Sequence, residues 1–371
     1  MDVGQKNGKY LKIYREIKEK LLSGGFQEGD KLPTETEYSE QYAVSRPTVT
    51  KALNALADEG FITRKTGSGS YVRNQTGETK SKLLGLLIPG LGRGEIFEPI
   101  SAQIAWEAEK NNYSLLWSGF DKTDKMHPLS STAIARRYID NRAAGIFFQP
   151  LELWYEAEEV NRQVVRVFQS SSVPVVLIDS DYTPYPQRSA YDLVGLDNFQ
   201  AGYTAALHFL KKGLQRLDFL FRPYSAESVG LRIRGYVSAL FDGGVHPDPR
   251  WIHGGYPEDP RFVKKMIQEE GARDIICAND ETASVLLQTL EREGISVPED
   301  VRIMGFDDVK YAQHLKVPLS TIRQPCDVLG QLAMELMLWR IDHPTAPPRT
   351  VTVPGTLVVR ASSEAPEKGH P

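Results

Sequence analysis

The amino-acid sequence predicts an α/β protein in two parts: a small helical domain with a two-stranded wing, and a larger two-lobed domain built on doubly wound parallel sheets. Near the start of the chain, apolar residues recur at helical spacing and two short β-type segments follow. From Lys82 onward, apolar strand-like runs alternate with helical runs, which is the pattern of parallel sheets covered by helices. The 371 residues are enough for two or three separate cores.

The composition is that of an ordinary globular protein and excludes several functional classes. Apolar residues make up 41% of the chain and charged residues 25%. No apolar run reaches the roughly 20 residues that span a bilayer, and the N-terminal segment lacks the pattern of a secretory signal. Cys277 and Cys326 lie far apart, without Cys or His neighbours. We therefore expect a cytoplasmic protein with no membrane association, no disulfide and no metal site.

Helical periodicity organises the first domain, residues 1–73. Its predicted segments are helices over 9–23, 35–42 and 46–59, followed by strands over 61–64 and 70–73. Thr34 fits the N-cap of the second helix, with Glu37 completing a capping box. The third helix ends at Gly60. The two strands form a β-hairpin, the wing, around a Gly/Ser tip.

The helical pair predicts DNA binding, because a cation and hydroxyls at the start of a second helix are a usual way to enter the major groove. Leu53 and Leu56 give this helix an apolar side, while Arg46 and Lys51 stay on its polar side. Arg46 can reach a guanine edge or a phosphate, and a glycine-rich tip suits close approach to a groove. The alternative is that these are ordinary solvated charges. The candidate DNA-contacting residues are Arg46, Thr48, Thr50, Lys51, Lys65, Gly67 and Ser68.

A polar segment without periodicity, residues 74–82, is predicted to be a linker. The domain after it covers 83–363, and a Pro/Ser/Glu-rich tail over 364–371 is predicted to be disordered. The predicted strands of this domain are 83–88, 113–117, 144–148, 174–179, 192–196, 216–221, 274–278 and 300–305. The predicted helices are 98–111, 131–142, 198–212, 228–241, 259–270, 281–294 and 326–341. One such sheet rarely holds so many strands, which favours two lobes with a cleft between them.

No cofactor is expected. The segment Gly90-Leu-Gly-Arg-Gly-Glu95 superficially resembles a dinucleotide-binding loop, but its glycine spacing differs from that fingerprint. Histidines are scattered along the chain, none with another histidine or a cysteine within five residues, so no local metal motif occurs.

Both domains contain the motifs of known families. The first contains Leu32-Pro-Thr-Glu35, Val44-Ser-Arg46, Lys51-Ala-Leu53, Glu59-Gly-Phe-Ile62 and Gly67-Ser-Gly69, and with them residues 9–73 resemble the winged helix-turn-helix domain of GntR-type bacterial regulators. The second contains Val173-Pro-Val-Val-Leu-Ile-Asp179, Gly195-Leu-Asp-Asn198, Ala278-Asn-Asp280, Gly305-Phe-Asp-Asp308 and Pro318-Leu-Ser-Thr-Ile-Arg-Gln324. With these segments, residues 83–363 resemble the periplasmic-binding-protein-like effector domain of LacI/GalR-type repressors. The combination is similar to that of arabinose-responsive repressors.

The resemblance implies which residues bind an effector. Asp179 follows an apolar strand, where open α/β sheets bind ligands. At the positions that match the family's sugar-binding residues stand Asp179, Arg232, Asn279, Asp307 and Gln324, with Phe97 and Tyr256 as aromatics over the sugar face. The alternative for a carboxylate is a helix N-cap, which is the interpretation we prefer for Asp280 and Asp308. The alternative for the two aromatics is apolar core packing.

The resemblance implies a sequence-specific DNA-binding regulator that is not an enzyme. It would be a homodimeric repressor of sugar-utilisation genes, released from operator DNA by a monosaccharide such as L-arabinose. The alternative is a sugar-processing enzyme with a fused helical domain, in which Asp179 and Asp307 serve as acid and base. No nucleophile-elbow motif supports an enzyme. Thr50 departs from the GntR pattern, where arginine is frequent, so the operator sequence stays open.

Overall fold

The computed structural model describes residues 4–22, 25–27, 29–65, 67–73, 82–89, 91, 96–117 and 128–364. The chain divides into two compact units, Met1–Ser81 and Lys82–Pro371. The predicted linker, apart from Lys82, lies outside the described residues. So do the last seven residues of the predicted tail and most of the glycine-rich segment 90–95.

The first unit has three helices and a hairpin among its described residues. These are α1 (Gly4–Leu22), α2 (Glu35–Gln41), α3 (Arg46–Asp58), β1 (Ile62–Lys65) and β2 (Gly69–Val72). The strands pair antiparallel, with Ile62 opposite Val72. The predicted capping box is confirmed: Thr34 Oγ1 accepts the Glu37 N–H at 3.3 Å, and the Glu37 carboxylate accepts the Thr34 N–H at 2.6 Å.

The core of this unit forms where the apolar sides of the helices meet. Ile13 and Ile17 of α1 pack in one cluster with Val49, Leu53 and Leu56 of α3, and all five are at most 2% exposed. The apolar side predicted for α3 is therefore buried, which leaves its opposite face to solvent.

The second unit alternates strands and helices along most of its described length. In order these are β3 (Leu83–Leu87), α4 (Phe97–Lys110), β4 (Ser114–Trp117), α5 (Pro128–Asp140), β5 (Gly145–Phe148), α6 (Ala157–Gln169), β6 (Val175–Ile178), β7 (Asp192–Leu196), α7 (Asn198–Leu210), β8 (Asp218–Phe221), α8 (Glu227–Asp242), β9 (Ile252–Gly254), α9 (Pro260–Lys264), β10 (Asp274–Cys277), α10 (Asp280–Arg292), β11 (Arg302–Asp307), β12 (Ser320–Arg323), α11 (Cys326–Asp342), β13 (Thr350–Val353) and β14 (Thr356–Val358). A π-helical stretch, Lys265–Glu269, continues α9.

Two six-stranded sheets define the two lobes. The first has the order β13-β7-β6-β5-β3-β4 and is parallel throughout. The second has the order β14-β12-β11-β10-β8-β9 and is parallel except for β14. Each sheet has an apolar cluster on either face, as helices packed on both sides require. The predicted two-lobed α/β architecture is confirmed.

The chain passes between the lobes at three places. It leaves the first sheet after β7 and enters α7 of the second lobe at Asn198. It returns after β12 to α11, which packs on the first sheet, and crosses again between β13 and β14. These short connections bring the carboxyl ends of strands from both sheets to one region, where open α/β sheets bind ligands.

Several elements differ from the sequence prediction. The helix α6 and the strands β9, β12, β13 and β14 were not predicted, and the predicted helix over 259–270 divides into α9 and the π-helical stretch. The missed strands are only three or four residues long. The strand β13 alternates threonine and valine, with its side chains exposed or half-buried, so it lacks the apolar run that identified the central strands. Glu364, at the start of the predicted tail, pairs with Lys212 at 2.9 Å.

Candidate DNA-binding surface and ligand cleft

An open groove runs along the solvent face of α3 in the first unit. It is lined by Tyr10, Arg46, Pro47, Thr50, Lys51, Asn54 and Ala55. Arg46 and Lys51 are exposed, and Thr50 is half-buried between them. The structure thus brings three of the predicted DNA-contacting residues onto one surface, hereafter the α3 groove.

Side chains at the start of α3 are held by neighbouring groups. The Arg46 guanidinium donates to Thr36 Oγ1 of α2 at 2.5 Å, which fixes its direction across the helical pair. The hydroxyls of Ser45 and Thr48 lie 2.9 Å apart. Thr50 donates its hydroxyl proton to the Arg46 carbonyl at 3.0 Å, so this proton is used inside the helix. The Lys51 ammonium lies 4.2 Å from the ring centroid of Tyr10.

The remaining predicted residues, Lys65, Gly67 and Ser68, are exposed at the turn between β1 and β2. Gly67 has φ +73°, a left-handed conformation that favours glycine. The Ser68 hydroxyl lies 2.7 Å from the Tyr71 hydroxyl, and the Lys65 ammonium lies 5.2 Å from the Tyr71 ring centroid. The wing therefore offers one cation and small polar groups at an exposed turn.

Sequence reasoning missed Asn54 and Arg64. Arg64 of β1 donates to the Asn54 side chain and pairs with Glu35, and so connects the wing strand to both α2 and α3. Asn54 stands one turn after Thr50 and Lys51 on the polar side of α3, and that spacing could have identified it. An amide and a guanidinium on an exposed helix face, those of Asn54 and Arg46, can contact base edges and phosphates.

The cleft of the second unit is marked by left-handed backbone at the ends of strands. Asp179 follows β6 with φ +70°, and Asp307 ends β11 with φ +112°. Leu153 and Tyr224, in loops of opposite lobes, have φ +58° and +62°, and the Leu153 N–H donates to the Tyr224 carbonyl at 2.6 Å. Such conformations are costly in non-glycine residues and concentrate where a site is held in a fixed geometry.

Carboxyl groups of the first lobe contact the start of α8 in the second lobe. The Glu152 carboxylate accepts the Ala226 N–H at 3.1 Å, and Asp179 lies 3.5 Å from the Ser228 hydroxyl. Asp179 is 8% exposed, and its other carboxylate oxygen, Oδ1, has no hydrogen-bond partner among the described residues. Burial raises the pKa of Asp179, and the charge of Arg232 partly offsets this.

Arg232 is a buried cation at the centre of the cleft, only 4% exposed. Its Nε donates to Asn198 Oδ1 at 2.8 Å, beside the crossing from β7 to α7, and a second N–H donates to the Ala278 carbonyl. Its guanidinium lies 4.7 Å from the Phe306 ring centroid and 3.9 Å from Asp307. Helices α7 and α8 approach closely here. A Cβ on Gly202 of α7 would overlap the Arg232 carbonyl of α8, so only glycine fits at that position.

Asp307 and Gln324 meet at the ends of neighbouring strands β11 and β12. The Gln324 amide donates to Asp307 Oδ1 at 2.7 Å, while its own oxygen is buried without a partner among the described residues. Asn279 is the N-cap of α10 and accepts the Thr282 N–H at 2.9 Å. The capping role thus occupies the Asn279 side-chain oxygen in this structure.

The two predicted aromatics lie in different environments. Phe97 begins α4, is 7% exposed and belongs to the apolar core of the first lobe. Tyr256 is half exposed in the loop after β9, at the carboxyl edge of the second sheet. No described contact joins either ring to Arg232 or Asp307. Packing in the apolar core explains the buried position of Phe97, whereas the exposed ring of Tyr256 is accessible to a ligand.

The N-cap interpretation of Asp280 and Asp308 is wrong. Asp280 is the first residue within α10, completely buried, and accepts the Thr321 hydroxyl at 2.7 Å and the Val309 N–H at 3.1 Å. Burial and the nearby Asp307 raise its pKa. Asp308 pairs with Arg323 at 2.6 Å and with Arg360 at 2.7 Å. Each of these carboxylates therefore connects segments that are distant in sequence, at the carboxyl ends of the strands of the second sheet.

Glu152 is the cleft residue that sequence reasoning missed. Burial, together with the charge of Asp179, raises its pKa to about 7, so the carboxyl is substantially protonated near neutral pH. The sequence signal was weak, because Glu152 stands four residues beyond β5 in a loop, with Gln149, Pro150 and Leu151 between.

Among the described residues, no group of three or more His, Cys, Asp or Glu side chains is arranged to hold a metal ion. No helix in the described part of the chain is long and apolar enough to cross a membrane.

Comparison with known proteins agrees with both units. Residues 9–72 match the family of bacterial regulatory proteins of the gntR family, and residues 206–363 match the periplasmic binding protein-like domain. The arabinose metabolism transcriptional repressor of Geobacillus stearothermophilus is 25% identical over 363 residues, covering 95% of each chain. The protein of the same name from Halalkalibacterium halodurans is 26% identical over 352 residues, covering 90% of each. The ribose operon repressor of Haemophilus influenzae is 24% identical over 287 residues, covering 76% of this chain and 81% of that protein.

Solved structures share the fold of the second unit. The transcription regulator CcpA of Lactococcus lactis aligns with a TM-score of 0.65 and 18% identity, covering 76% of this chain and all of that one. A LacI family regulator of Enterococcus faecium with bound ribose aligns with a TM-score of 0.59 and 23% identity, covering 76% of this chain and 98% of that one.

A winged helical unit followed by a two-lobed unit with a polar cleft defines a class, the DNA-binding transcriptional regulators that carry a small-molecule-binding domain. This chain is a regulator of that class: it combines a GntR-type DNA-binding domain with a periplasmic-binding-protein-like domain. The relatives are transcription regulators and not enzymes, which confirms the predicted regulator over the enzyme alternative.

Proposed function

We propose that this regulator is a cytoplasmic, homodimeric repressor of sugar-utilisation genes, released from its operator by a monosaccharide such as L-arabinose. One observation carries the proposal: a single chain combines the exposed, cationic α3 groove with a buried cleft whose free oxygens suit sugar hydroxyls. The names of the relatives, arabinose and ribose repressors, support the same class of effector.

In the first unit, Arg46 reads the operator and Lys51 contacts its phosphates, while Thr48 and Thr50 lie against the DNA backbone. The wing residues Lys65, Gly67 and Ser68 lie against the neighbouring groove. The support is the exposure of Arg46, Lys51 and the three wing residues, and the fixed direction of Arg46.

In the second unit, Asp179, Arg232, Asp307 and Gln324 bind the hydroxyls of the sugar. Asn279 contributes its amide, and Tyr256 covers one face of the ring. The lobes close on the sugar, and the change alters the spacing of two DNA-binding domains that must read half-sites about 34 Å apart or a multiple of that distance.

A homodimer is the simplest way to read a palindromic operator. The first lobe offers a surface for a second copy. Trp106 on α4 is 54% exposed, Trp117 is 55% exposed, and Trp117 lies on β4, the edge strand of the first sheet. We expect analytical ultracentrifugation to show a dimer, and Trp106→Ser with Trp117→Ser to shift it toward monomer. A wild-type monomer that still binds a palindromic fragment tightly would contradict the dimer.

The deciding experiment is fluorescence anisotropy with a labelled DNA fragment from upstream of the protein's own gene. We expect specific binding that exceeds binding to a scrambled fragment, and a loss of binding when L-arabinose or a related monosaccharide is added. Failure of the purified dimer to bind any fragment of its gene neighbourhood would contradict the regulator proposal. Binding that no sugar alters would contradict the effector part alone.

A further inference from the structure

Glu152 lies where the two lobes meet. Strand β5 is central in the first sheet, between β3 and β6, and the chain leaves its carboxyl end towards the cleft. From this loop the Glu152 carboxylate reaches the Ala226 N–H of the second lobe at 3.1 Å. Ala226 immediately precedes α8, the helix that carries Arg232. Glu152 is therefore placed to contact whatever the lobes enclose.

The charges around Glu152 are mostly negative. Among the described residues, Asp179 and Asp307 lie close enough to affect its ionisation, and so does the cation of Arg232. Two donors of the Arg232 guanidinium already bond inside the protein. Arg222, which follows β8 at the same edge of the second sheet, is ion-paired with Glu258 at 2.9 Å, while its Nε is buried without a hydrogen-bond partner among the described residues. Among the described residues, the cleft thus presents three carboxyl groups around one guanidinium, two of whose donors bond inside the protein.

The unpaired buried atoms of the cleft are mainly acceptors. Gln149 Oε1 after β5, Asp179 Oδ1 after β6 and Gln324 Oε1 after β12 each lack a hydrogen-bond partner among the described residues. Buried acceptors without partners are costly, so a ligand that supplies donors is favoured. Hydroxyl groups supply donors, whereas a phosphate dianion or a carboxylate supplies few or none.

In the described part of the cleft, the start of α8 is a feature that would favour an anion, and it is already occupied. The N-terminus of a helix attracts negative charge, but at α8 the carboxyl of Glu152 already accepts the Ala226 N–H. The chain also places its own acid, Glu227, in the first turn of that helix. An anionic ligand would have to displace Glu152 and approach Asp179 and Asp307.

From these contacts we infer that Glu152 is a specificity-determining residue, which makes the cleft accept an uncharged polyhydroxyl ligand and reject the phosphorylated or acidic derivative of the same ligand. The inference rests on the proposed sugar-responsive function and names the class of effector. Glu152 excludes anions by its position. Its carboxyl can donate a hydrogen bond to a sugar hydroxyl when protonated and accept one from a hydroxyl when ionised.

The test is isothermal titration calorimetry of the full-length protein with two matched series of sugars. Each series contains a parent sugar, L-arabinose or D-ribose, its 5-phosphate and its 5-O-methyl ether, the ether controlling for size. We expect the wild type to bind the phosphate at least about 100-fold more weakly than the ether of the preferred series. The titrations are done at pH 8, where the Glu152 carboxyl, with its pKa of about 7, is mostly ionised. In Glu152→Gln at this pH, we expect that ratio to fall about tenfold, because a neutral amide replaces a negative charge. Glu156→Gln removes a carboxyl from the same loop, where it contacts the exposed Tyr155 hydroxyl, and should leave the ratio unchanged.

Each other outcome has a definite meaning. A wild type that binds the phosphate as tightly as the ether would overturn the inference while leaving a sugar-responsive regulator intact. The same phosphate-to-ether ratio in Glu152→Gln and wild type would remove Glu152 from the mechanism. If no compound of either series binds, the proposed sugar response fails, and the inference fails with it. Circular dichroism must show that Glu152→Gln is folded; if it is not, Glu152→Ala makes the same comparison.

Discussion

Two arginines show how differently the two units prepare for their ligands. Arg46, on the α3 groove, is exposed and held by a single contact to Thr36. Arg232, in the cleft, is 4% exposed and held by Asn198, by the Ala278 carbonyl and by the ring of Phe306. A DNA duplex brings a large negative charge to an open surface, so an exposed cation on a rigid helix is sufficient. A small ligand must replace all the water around a buried group, so every polar atom there needs a fixed partner.

This difference leads to separable effects of mutation. A change at an exposed residue of the α3 groove alters DNA binding and leaves the fold intact. A change at a buried residue of the cleft alters ligand binding and also disturbs neighbouring hydrogen bonds, because its partners are buried as well. The following variants test that separation in order of decreasing effect.

The largest effect is expected for Arg46→Ala. We expect operator affinity to fall about 100-fold or more, since a base or phosphate contact worth about 1–3 kcal/mol is lost in each half-site of a dimer. Anisotropy with the operator fragment measures this loss. Arg250→Ala is the control: that side chain is 88% exposed in the second unit, pairs with Asp248 and should change nothing. A sugar affinity that drops together with DNA binding would show that the two functions are not separable at Arg46.

The second effect is the loss of the sugar response in Asp307→Ala. The substitution leaves the buried Gln324 amide without its acceptor and takes away the carboxylate 3.9 Å from Arg232. We expect sugar affinity to fall about 30-fold or more, because hydrogen bonds to charged groups contribute about 1.5–3 kcal/mol each. Operator binding should persist and no longer respond to sugar.

Calorimetry and anisotropy on the same preparation measure both properties of Asp307→Ala. The matched control is Asp242→Ala, which removes an exposed carboxylate at the end of α8 that accepts the Tyr203 hydroxyl. If Asp307→Ala still released DNA at the wild-type sugar concentration, Asp307 would lie outside the binding site.

A smaller effect is expected on the pH dependence of stability, with opposite signs for two glutamates of the first unit and for Glu152 in the cleft. In the first unit, hydrogen bonds from Thr34 lower the pKa of Glu37, and contacts with Lys18 and Tyr14 lower that of Glu59. Their stabilising contribution is present above the ordinary pKa of a glutamate and is lost as the pH falls. The pKa of Glu152 is raised to about 7. Protonation of Glu152 therefore contributes to the stability of the folded protein, fully below the ordinary glutamate pKa, and this contribution is lost as the pH rises through about 7.

Thermal melts of wild type and Glu152→Gln between pH 5 and pH 8 test the pH dependence of stability expected for Glu152. We expect the wild type to lose stability relative to Glu152→Gln as the pH rises across this range, by about 1 kcal/mol or more. Glu156→Gln should follow the wild type. Parallel curves for wild type and Glu152→Gln would mean that the carboxyl titrates alike in the folded and unfolded chains.

The sequence predicted much of the fold, and the reason differs between the units. In the first unit the helical spacing of Ile13, Ile17 and Leu53, together with the Thr34–Glu37 capping box, is local information, so all three helices and the wing were predicted within a few residues. In the second unit the central strands are buried on both faces and appear as apolar runs. The edge strands β13 and β14 are short, and their pairing partners lie far away in sequence, so nothing local identifies them.

The candidate site was predictable only where a motif marks it. Family motifs identified Asp179, Arg232, Asp307 and Gln324. The structure places Asp179, Asp307 and Gln324 at strand ends and Arg232 on α8, on the two sides of one cleft. Glu152 lies in an irregular loop, and its role depends on Ala226, which is 74 residues further along the chain. The hydrogen bonds of Asp280 and Asp308 likewise join distant segments, which is why their interpretation as helix caps was wrong.

The smallest effect concerns Thr50, which the sequence placed among the DNA-contacting residues. Its hydroxyl proton is directed to the Arg46 carbonyl at 3.0 Å and is not available to a base. Valine has nearly the same shape, so Thr50→Val should keep the contour of the α3 groove while removing the hydroxyl. We expect operator affinity to change by less than about threefold, since a half-buried helical hydroxyl bonded to its own backbone contributes little. Thr48→Val is the comparison, because the Thr48 hydroxyl lies 2.9 Å from the Ser45 hydroxyl at the start of the helix and is not bonded to the helix backbone in the same way. A loss of about tenfold or more in Thr50→Val would show that DNA binding redirects this hydroxyl, and that the α3 groove is less rigid than its contacts in the free protein indicate.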